Sequence, residues 1–357
     1  MNDKRHTMDI YDYAESKGLS LNRIMDFTSD ANPLGPSNKA KNAVRKNVKR
    51  LGQPPDRETR YLKRLICTRE GVGEEKIIIG PDPICILSVL LEMVRPGTVL
   101  VPSPVSDTYR ELLEEQGVKI RPFHLNSEKG FAFEAKQFVK AVKDADLVLI
   151  PNPHNVVGTC LSPDDLLPVI SQAAAMKKTL VIDEGYRDFP DIPSQANEIT
   201  RSKGSLVLRS LSVFYGLAGF RFGYTIGSDD LMRNIRNRLR HFPVNLLAEA
   251  AAVASLRDKG YRKRTLEYIN EEKRFIQDSL AGVDQVQCID TPCSFLLLRL
   301  NEKVAGLRDA FLKRRIMVGD FTDGKGSLYI RLPVRKHAWN AGFIRVLKNI
   351  LGVKDHA

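Results

Sequence analysis

The chain has 357 residues, of which 43% are hydrophobic and 27% are charged. This is ordinary globular composition, which excludes a disordered chain, a collagen-like fibre and a small disulfide scaffold, and the length suggests about two domains. No run of about 18 apolar residues is present, so a membrane-spanning helix is not expected, and the polar first residues do not resemble a signal peptide. The five cysteines form no CxxC pair, which favours reduced thiols and a cytoplasmic location.

The chain is basic, with 55 Lys and Arg against 43 Asp and Glu, a formal net charge of +12. The basic residues are concentrated in 39–64, where the acidic residues are Asp56 and Glu58, and again in 233–264. Such segments either bind an anionic partner or form solvated helix faces. Zinc-finger spacing, interleaved aromatic residues and an appended helix-turn-helix are missing from the sequence, so nucleic acid is not the expected partner.

The predicted elements begin after an extended arm, because the run 30–36 contains two prolines and a glycine. Short apolar runs then alternate with helical patterns. The predicted strands are 77–79, 98–101, 147–150, 180–182, 206–208 and 222–226, and the predicted helices are 84–94, 106–117 and 164–177. Apolar strands separated by helices indicate a mostly parallel sheet that is covered on both faces.

The pattern changes after residue 229, where helices become longer and strands fewer. The predicted helices are 229–240, 244–258, 261–281, 303–314 and 336–351, and the predicted strands are 295–300 and 328–332. We therefore expect an arm over 1–35 that packs with the small domain, a large domain over 36–230 and a small α+β domain over 231–357.

Polar residues follow three of the predicted strands. The runs read PNPHNVVG from 151, DEGY from 183 and RSLSVFYGLAGFRFGY from 209. In an open parallel sheet, ligands bind beyond the carboxyl ends of the strands. The three runs are therefore expected to form one site.

In this order and spacing, the runs resemble the fold-type I pyridoxal-phosphate (PLP) enzymes, together with DANPLGP at 30–36 and LYIRL at 328–332. The resemblance covers roughly residues 20–350 and is closest to the class I/II aminotransferases that include histidinol-phosphate aminotransferase and threonine-phosphate decarboxylase. It implies a PLP-dependent transferase-like (aspartate aminotransferase-like) α/β large domain with a mostly parallel sheet, a smaller α+β domain, PLP as cofactor and a homodimer.

The resemblance also implies roles for particular residues. The implied cofactor contacts are Asn155, Asp183, Tyr186, Ser210, Ser212 and Arg221, the implied substrate contacts are Asn32, Arg331 and Arg335, and no metal ion is implied. Asp183 matches the carboxylate that keeps the pyridine nitrogen protonated, because a nearby negative charge favours the cation. Arg331 matches the arginine that grips the substrate carboxylate.

The chain departs from the family pattern at the position of the family's catalytic lysine. The family's Schiff-base lysine follows the second serine of a Ser-x-Ser run, and this chain has Val213 there. The flanking Ser212 and Arg221 fix the register. Lys203 lies upstream of the strand and is not expected to replace the lysine.

Other expected cofactor contacts are altered as well. The phosphate-binding turn reads Gly80-Pro81-Asp82-Pro83, in which two prolines remove N–H donors and Asp82 adds a negative charge. Asp82 and Pro83 are explained instead as the cap and first residue of a helix. The departures at the remaining positions are Ser106 for the stacking aromatic, Pro54 for the partner-subunit tyrosine, and Val156-Val157 for a proline-threonine pair.

These departures favour a degenerate family member that lacks ordinary PLP catalysis. It would bind an anionic, amino-acid-like ligand through arginines such as Arg221 and Arg331, or act as a partner subunit. Two alternatives stay open. One is an active PLP-dependent aminotransferase or decarboxylase for a phosphorylated amino acid, with His154 as its base. The other is a basic binding module for nucleic acid or an acidic protein.

Overall fold

The computed structural model describes residues 9–80, 82–239, 244–301, 304 and 306–353. The strands β1 to β12 are Met25–Phe27, Ile77–Gly80, Thr98–Ser103, Lys119–His124, Leu147–Pro151, Thr179–Asp183, Ser205–Ser210, Gly223–Gly227, Val286–Ile289, Phe295–Leu300, Ile316–Thr322 and Leu328–Pro333. The helices α1 to α13 are Ile10–Lys17, Asn38–Asn47, Arg60–Glu70, Pro83–Val94, Asp107–Glu115, Ala135–Ala141, Pro163–Ala175, Ala196–Arg201, Asp229–Arg238, Leu246–Leu256, Lys259–Leu280, Leu307–Leu312 and His337–Ile350. None of these described helices is both long and apolar enough to cross a membrane.

The chain divides into two compact units. The larger unit is Ala31–Glu267, and the smaller unit combines the described residues up to Asp30 with those from Tyr268 onward. From the sequence, the boundary is expected after residue 230 instead. In the structure, residues 231–267 group with the larger unit, because α10 packs against α2. The N-terminal arm groups with the smaller unit up to Asp30, because β1 pairs in parallel with β11.

The larger unit is built on a seven-stranded sheet in the order β2-β8-β7-β6-β5-β3-β4. Strands β3 to β7 pair in parallel, whereas β8 is antiparallel to both of its neighbours. The mostly parallel sheet predicted from the sequence is therefore confirmed. Its central strands β5, β6 and β7 are buried on both faces, as their unbroken apolar runs require.

Successive residues of β5 show how the two layers of helices cover the sheet. Leu147 and Leu149 pack in one core cluster with side chains of α4 and α5, whereas Val148 and Ile150 pack in another with side chains of α7. All four are fully buried. Burial of each such side chain contributes roughly 1.5–3 kcal/mol, so the sheet is held firmly from both sides.

Some elements were not expected from the sequence. Strand β4 forms an edge of the sheet, and most of its side chains are exposed, so its polar sequence with Pro122 lacked an apolar pattern. Helices α2 and α3 lie largely in the basic segment. Few of their side chains are buried, so their many charged residues hid the apolar pattern that would have predicted a helix. Of the predicted helix 229–240, residue 240 lies outside the described residues, as do 302, 303 and 305 near the predicted helix 303–314.

The smaller unit holds a five-stranded sheet in the order β1-β11-β12-β10-β9. Its strands pair antiparallel except for β1 with β11. One face packs against α11 and α13, where Phe27, Phe311 and Phe343 form a buried aromatic cluster. The predicted smaller α+β part of the chain is thus observed.

Candidate functional site at the carboxyl ends of the central strands

The three predicted polar strand ends meet at one edge of the large sheet. Pro151, the last residue of β5, lies opposite Asp183 of β6, and Asp183 lies opposite Leu208 of β7. The Asn152 N–H donates to the Asp183 carbonyl oxygen at 2.7 Å. The parallel pairing of these strands therefore brings Asn155, Asp183 and Ser210 to the same edge.

Asp183 is held by two donors. Tyr109 of α5 donates its hydroxyl to Asp183 Oδ2, and the Gly185 N–H donates to Oδ1 at 2.8 Å. Burial raises the pKa of Asp183, and although these two hydrogen bonds oppose the shift, the nearby Glu184 and Asp82 add to it. The Tyr109 hydroxyl stays protonated, because burial and then Asp183 raise its pKa well above the ordinary value. Tyr109 was missed by the sequence analysis because an aromatic residue on an apolar helix face resembles a core residue.

Asn155 contacts the residue that replaces the family's stacking aromatic. Its Nδ2 donates to Ser106 Oγ at 3.2 Å. Ser106 therefore offers a hydroxyl and no ring at this position. Tyr186 is half-buried, and its ring lies 6.1 Å from the Phe189 ring.

His154 is fixed inside its loop. It is 3% exposed, and its Nδ1 accepts from the N–H groups of Val156 at 3.2 Å and Val157 at 3.3 Å. Nε2 lies 3.4 Å from the Pro102 carbonyl oxygen, which places the ring proton on Nε2. Because both ring nitrogens face the backbone, this geometry gives no support to a catalytic base at His154.

The turn after β7 is anchored by its serines. Ser210 Oγ accepts from the Ser212 N–H at 3.1 Å. Ser212 Oγ accepts from the Phe222 N–H at 3.1 Å and donates to the Phe222 carbonyl oxygen at 3.2 Å. Val213 follows in this turn, half-buried, and its side chain carries no amine.

Asp82 occupies the start of α4, as the sequence analysis proposed. Its Oδ1 accepts from the Ile84 N–H at 2.8 Å, and Pro83 is the first residue of the helix. Pro83 packs against Gly223, where an added Cβ would lie 2.4 Å from Pro83 Cδ. Asp82 Oδ2 lies 3.2 Å from Arg221 Nη2. Pro81 lies outside the described residues.

Asn32, which belongs to the larger unit, contacts the turn that contains Val213. Its Nδ2 donates to the Phe214 carbonyl oxygen at 2.7 Å and to Thr265 Oγ1 at 3.1 Å, and its Oδ1 accepts from the Leu34 N–H at 2.9 Å. The side chain is 4% exposed. The structure thus engages the Asn32 amide within the larger unit, and a substrate contact there stays a prediction.

The two remaining arginines lie in the smaller unit, where each faces a carboxylate of the arm. Arg331 pairs with Asp30, and its guanidinium lies 3.7 Å from the centre of the Phe295 ring. Arg335 Nε donates to the Asp26 carbonyl oxygen at 2.8 Å, and its Nη2 lies 3.9 Å from Asp26 Oδ2. Burial lowers the pKa of Arg335, and the nearby Asp26 and Asp30 oppose that shift.

A buried network of ion pairs lies next to the carboxyl ends of the central strands and was not predicted. Arg209 of β7 is 3% exposed, and its Nη2 lies 2.8 Å from Glu70 Oε2 and 3.0 Å from Glu184 Oε2. Glu70 also accepts from the Tyr224 hydroxyl at 2.8 Å. The sequence offered no signal for this network because its members lie far apart along the chain, on α3, β7, β8 and the loop after β6.

The fold and this strand edge together define a PLP-transferase-like α/β architecture. The chain belongs to the aminotransferase class I and II family, whose model matches residues 24–323. It is 25% identical over 352 residues to threonine-phosphate decarboxylase of Salmonella typhimurium, covering 97% of this chain and 96% of that protein. It is 25% identical over 347 residues to histidinol-phosphate aminotransferase of Methanosphaera stadtmanae, covering 95% and 93% of the two chains.

A solved structure shows the same fold. The histidinol-phosphate aminotransferase of Sinorhizobium meliloti in complex with pyridoxal-5'-phosphate superposes with a TM-score of 0.83 at 18% identity, covering 98% of this chain and 99% of that chain. The fold implied by the sequence resemblance is therefore confirmed, and the family is PLP-dependent.

Three positions of this chain, Asp82, Ser212 and Val213, differ from the PLP contacts that the resemblance implies. A phosphate group is held by free N–H and cationic groups, yet Asp82 already takes the Ile84 N–H and pairs with Arg221. The Ser212 hydroxyl already accepts a hydrogen bond from the Phe222 N–H and donates one to the Phe222 carbonyl oxygen. Val213 supplies no nitrogen for a covalent link. The ring contacts that the resemblance implies for Asn155, Asp183 and Tyr186 stay predictions.

Proposed function

We propose that this protein is an aminotransferase-family member that performs no Schiff-base chemistry with PLP. The observation that carries the proposal is Val213 in a turn whose register is anchored by the bonds between Ser212 and Phe222. A one-residue slip that placed another side chain there would break both bonds. Lys203 does not replace the lysine, because it precedes β7, and the six residues of that strand span about 20 Å.

The anionic-ligand hypothesis receives little support. Arg221 pairs with Asp82, Arg331 pairs with Asp30, and Arg335 lies beside Asp26. A carboxylate or phosphate ligand would have to compete with a tethered carboxylate at each arginine. We therefore propose that the protein acts as a partner subunit for another protein. The three arginines then stabilise the fold through their ion pairs.

Activity assays test the proposal. The relatives' names direct the choice of substrates to threonine phosphate for decarboxylation and histidinol phosphate for transamination. With PLP supplied in excess, we expect no turnover above the rate without protein. Turnover within the usual range, about 1–10³ per second, would refute the proposal and support the active-enzyme alternative.

We also propose a homodimer, which the family resemblance implies. Val48, Leu51 and Tyr61 of the larger unit are apolar side chains that are 48%, 60% and 42% exposed, and we propose that the second copy covers them. Light scattering of the purified protein should give twice the 40.1 kDa chain mass. A monomeric mass at micromolar concentration would contradict this expectation.

The cysteines support a reducing, cytoplasmic environment, which we propose for this chain. All five are free thiols. Burial raises the pKa of Cys160 and of Cys288 to about 11, so both stay protonated and unreactive near neutral pH. Such thiols persist without oxidation in the cytoplasm.

A further inference from the structure

Helix α2 and the short helical turn that follows it carry positive charge without any negative charge. The sequence from residue 31 to residue 55 contains six Lys and Arg and no Asp or Glu. We call four of these basic residues the cationic stripe, and all four are exposed: Lys41, Arg45, Lys46 and Lys49. Because Lys41, Arg45 and Lys49 follow one another at four-residue intervals, they share one face of the helix.

The charge of the cationic stripe is not neutralised by an ion pair within the described residues. Arg45 Nη1 donates instead to the carboxamide oxygen of Asn42 at 3.0 Å. Arg50, the residue directly after the stripe, is held in the same way, because its Nη1 donates to Asn47 Oδ1 at 3.1 Å and its Nε donates to Gln53 Oε1 at 3.2 Å. The carboxamides therefore orient both guanidinium groups and leave their charge uncompensated.

This charge opposes the stability of α2 itself. Like charges four residues apart on a helix repel each other, and the stripe contains two such pairs, Lys41 with Arg45 and Arg45 with Lys49. The opposite face of α2 holds the helix in place, since α2 packs against α10 and Ala40 is only 1% exposed. The stripe is thus a fixed surface whose charge weakens the fold, which favours a role in binding an anionic partner over a structural role.

The surroundings of the stripe favour a protein over a nucleic acid as that partner. Free carboxamides read the edges of bases, but the oxygens of Asn42, Asn47 and Gln53 already accept from arginines. Single strands stack on free aromatic rings. Tyr61 is the only aromatic residue in the sequence of the basic segment, and the Arg257 guanidinium lies 4.9 Å from the centre of its ring and covers one face.

We propose that the cationic stripe docks an acidic segment of the partner protein. The inference rests on the proposed function and deepens it, because it names the docking face and the charge of the partner. Cations four residues apart on α2 lie about 6 Å apart along the helix, and carboxylates four residues apart on a facing helix repeat at the same spacing. Each exposed ion pair is weak, so the stripe sets the register and the rate of docking more than the affinity.

Fluorescence anisotropy with a labelled glutamate-rich peptide tests the docking face. The stripe variant combines Lys41→Gln, Lys46→Gln and Lys49→Gln. The matched control removes the same charge from exposed lysines on and just after α6 by combining Lys136→Gln, Lys140→Gln and Lys143→Gln. At about 50 mM salt, we expect the stripe variant to bind the peptide at least about tenfold more weakly than wild type and the control to differ by less than about twofold.

Two further measurements accompany the titration. Asn42→Asp puts a carboxylate beside Arg45 Nη1, so we expect it to neutralise that guanidinium and to weaken peptide binding about threefold. Thermal unfolding should show that the stripe variant is at least as stable as wild type, because the substitutions remove repulsion within α2. A lower unfolding midpoint would give the lysines a structural role and contradict the inference.

The remaining outcomes separate this inference from its alternatives. Equal weakening by the stripe variant and the control would overturn it, because net charge alone would then explain the binding. Tighter binding of a short duplex DNA than of the peptide at about 200 mM salt, with the same loss in the stripe variant, would replace the protein partner with a nucleic acid. A stripe variant that light scattering shows as a monomer, beside a dimeric wild type, would place the stripe between two copies of this chain. PLP-dependent turnover would overturn the proposed function whatever the peptide shows.

Discussion

Replacing Glu70 with alanine is expected to lower the free energy of unfolding by about 3–5 kcal/mol, because it takes from a buried cation one of its two carboxylate partners. The Glu70 side chain is 2% exposed, and its Oε2 lies 2.8 Å from Arg209 Nη2. Arg209 Nε is buried without a hydrogen-bond acceptor among the described residues, so Arg209 depends on Glu70 and Glu184. A loss of this size is a large part of a typical domain's stability.

The pH dependence of this effect has a definite sign. Burial opposes ionisation of Glu70, but Arg209, the Tyr224 hydroxyl, Arg187 and Arg69 outweigh it and lower its pKa. A lowered pKa in the folded state contributes stability above the unfolded value of about 4.3 and loses it as the pH falls through the folded value. The difference between wild type and Glu70→Ala should therefore be greatest near neutral pH and shrink in acid.

Urea unfolding at several pH values measures both effects. The matched control is Glu198→Ala, since the Glu198 side chain is 43% exposed and pairs with Arg201 at the surface. We expect the control to change stability by less than about 0.5 kcal/mol. Equal effects of the two substitutions would show that the buried network does not hold α3 to the sheet.

Replacing Gly216 with alanine is expected to lower the free energy of unfolding by about 2–5 kcal/mol. Roughly 1–2 kcal/mol comes from placing a side chain on a left-handed backbone, and about 1–3 kcal/mol comes from overpacking. Gly216 has φ of +64°, and an added Cβ would lie 2.6 Å from the Gly35 carbonyl carbon and 2.9 Å from the Pro36 nitrogen. Because both neighbours are backbone atoms, they cannot rotate away. The arm that Asn32 ties to this turn would have to move.

Gly219→Ala is the matched control for this prediction. It lies three residues further along the same turn, and an added Cβ meets no atom within 4 Å. Thermal unfolding should show a large fall in midpoint for Gly216→Ala and little change for Gly219→Ala. Similar midpoints for the two variants would refute the close approach of the arm to the turn.

Much of the fold was accessible from the sequence because buried parallel strands carry an unambiguous apolar pattern. The runs at 147–150 and 180–182 predicted β5 and β6, and the carboxyl ends of those strands located the candidate site. Strand β4 was missed, since an exposed edge strand has no such pattern. The sequence also misplaced the limit of the larger unit, because the packing of α10 on α2 is a tertiary contact without a local signal.

The candidate site was predictable in its residue types but not in its pairings. The sequence identified Val213 and Asp82 as departures, and the helix cap at Asp82 is observed. It did not indicate that Asp82 pairs with Arg221 or that Asp30 pairs with Arg331, because these partners are far apart along the chain. Under the proposed function, these pairings give the arginines a structural role.

The most direct test of the central claim is to titrate the purified protein with PLP, record absorbance from about 320 to 450 nm, reduce with borohydride and map the modified peptides by mass spectrometry. We predict no saturable band and no lysine modified in preference to the others, because Val213 supplies no amine. A saturable band that borohydride traps on one lysine in stoichiometric yield would contradict the account and show that the protein binds its family's cofactor covalently.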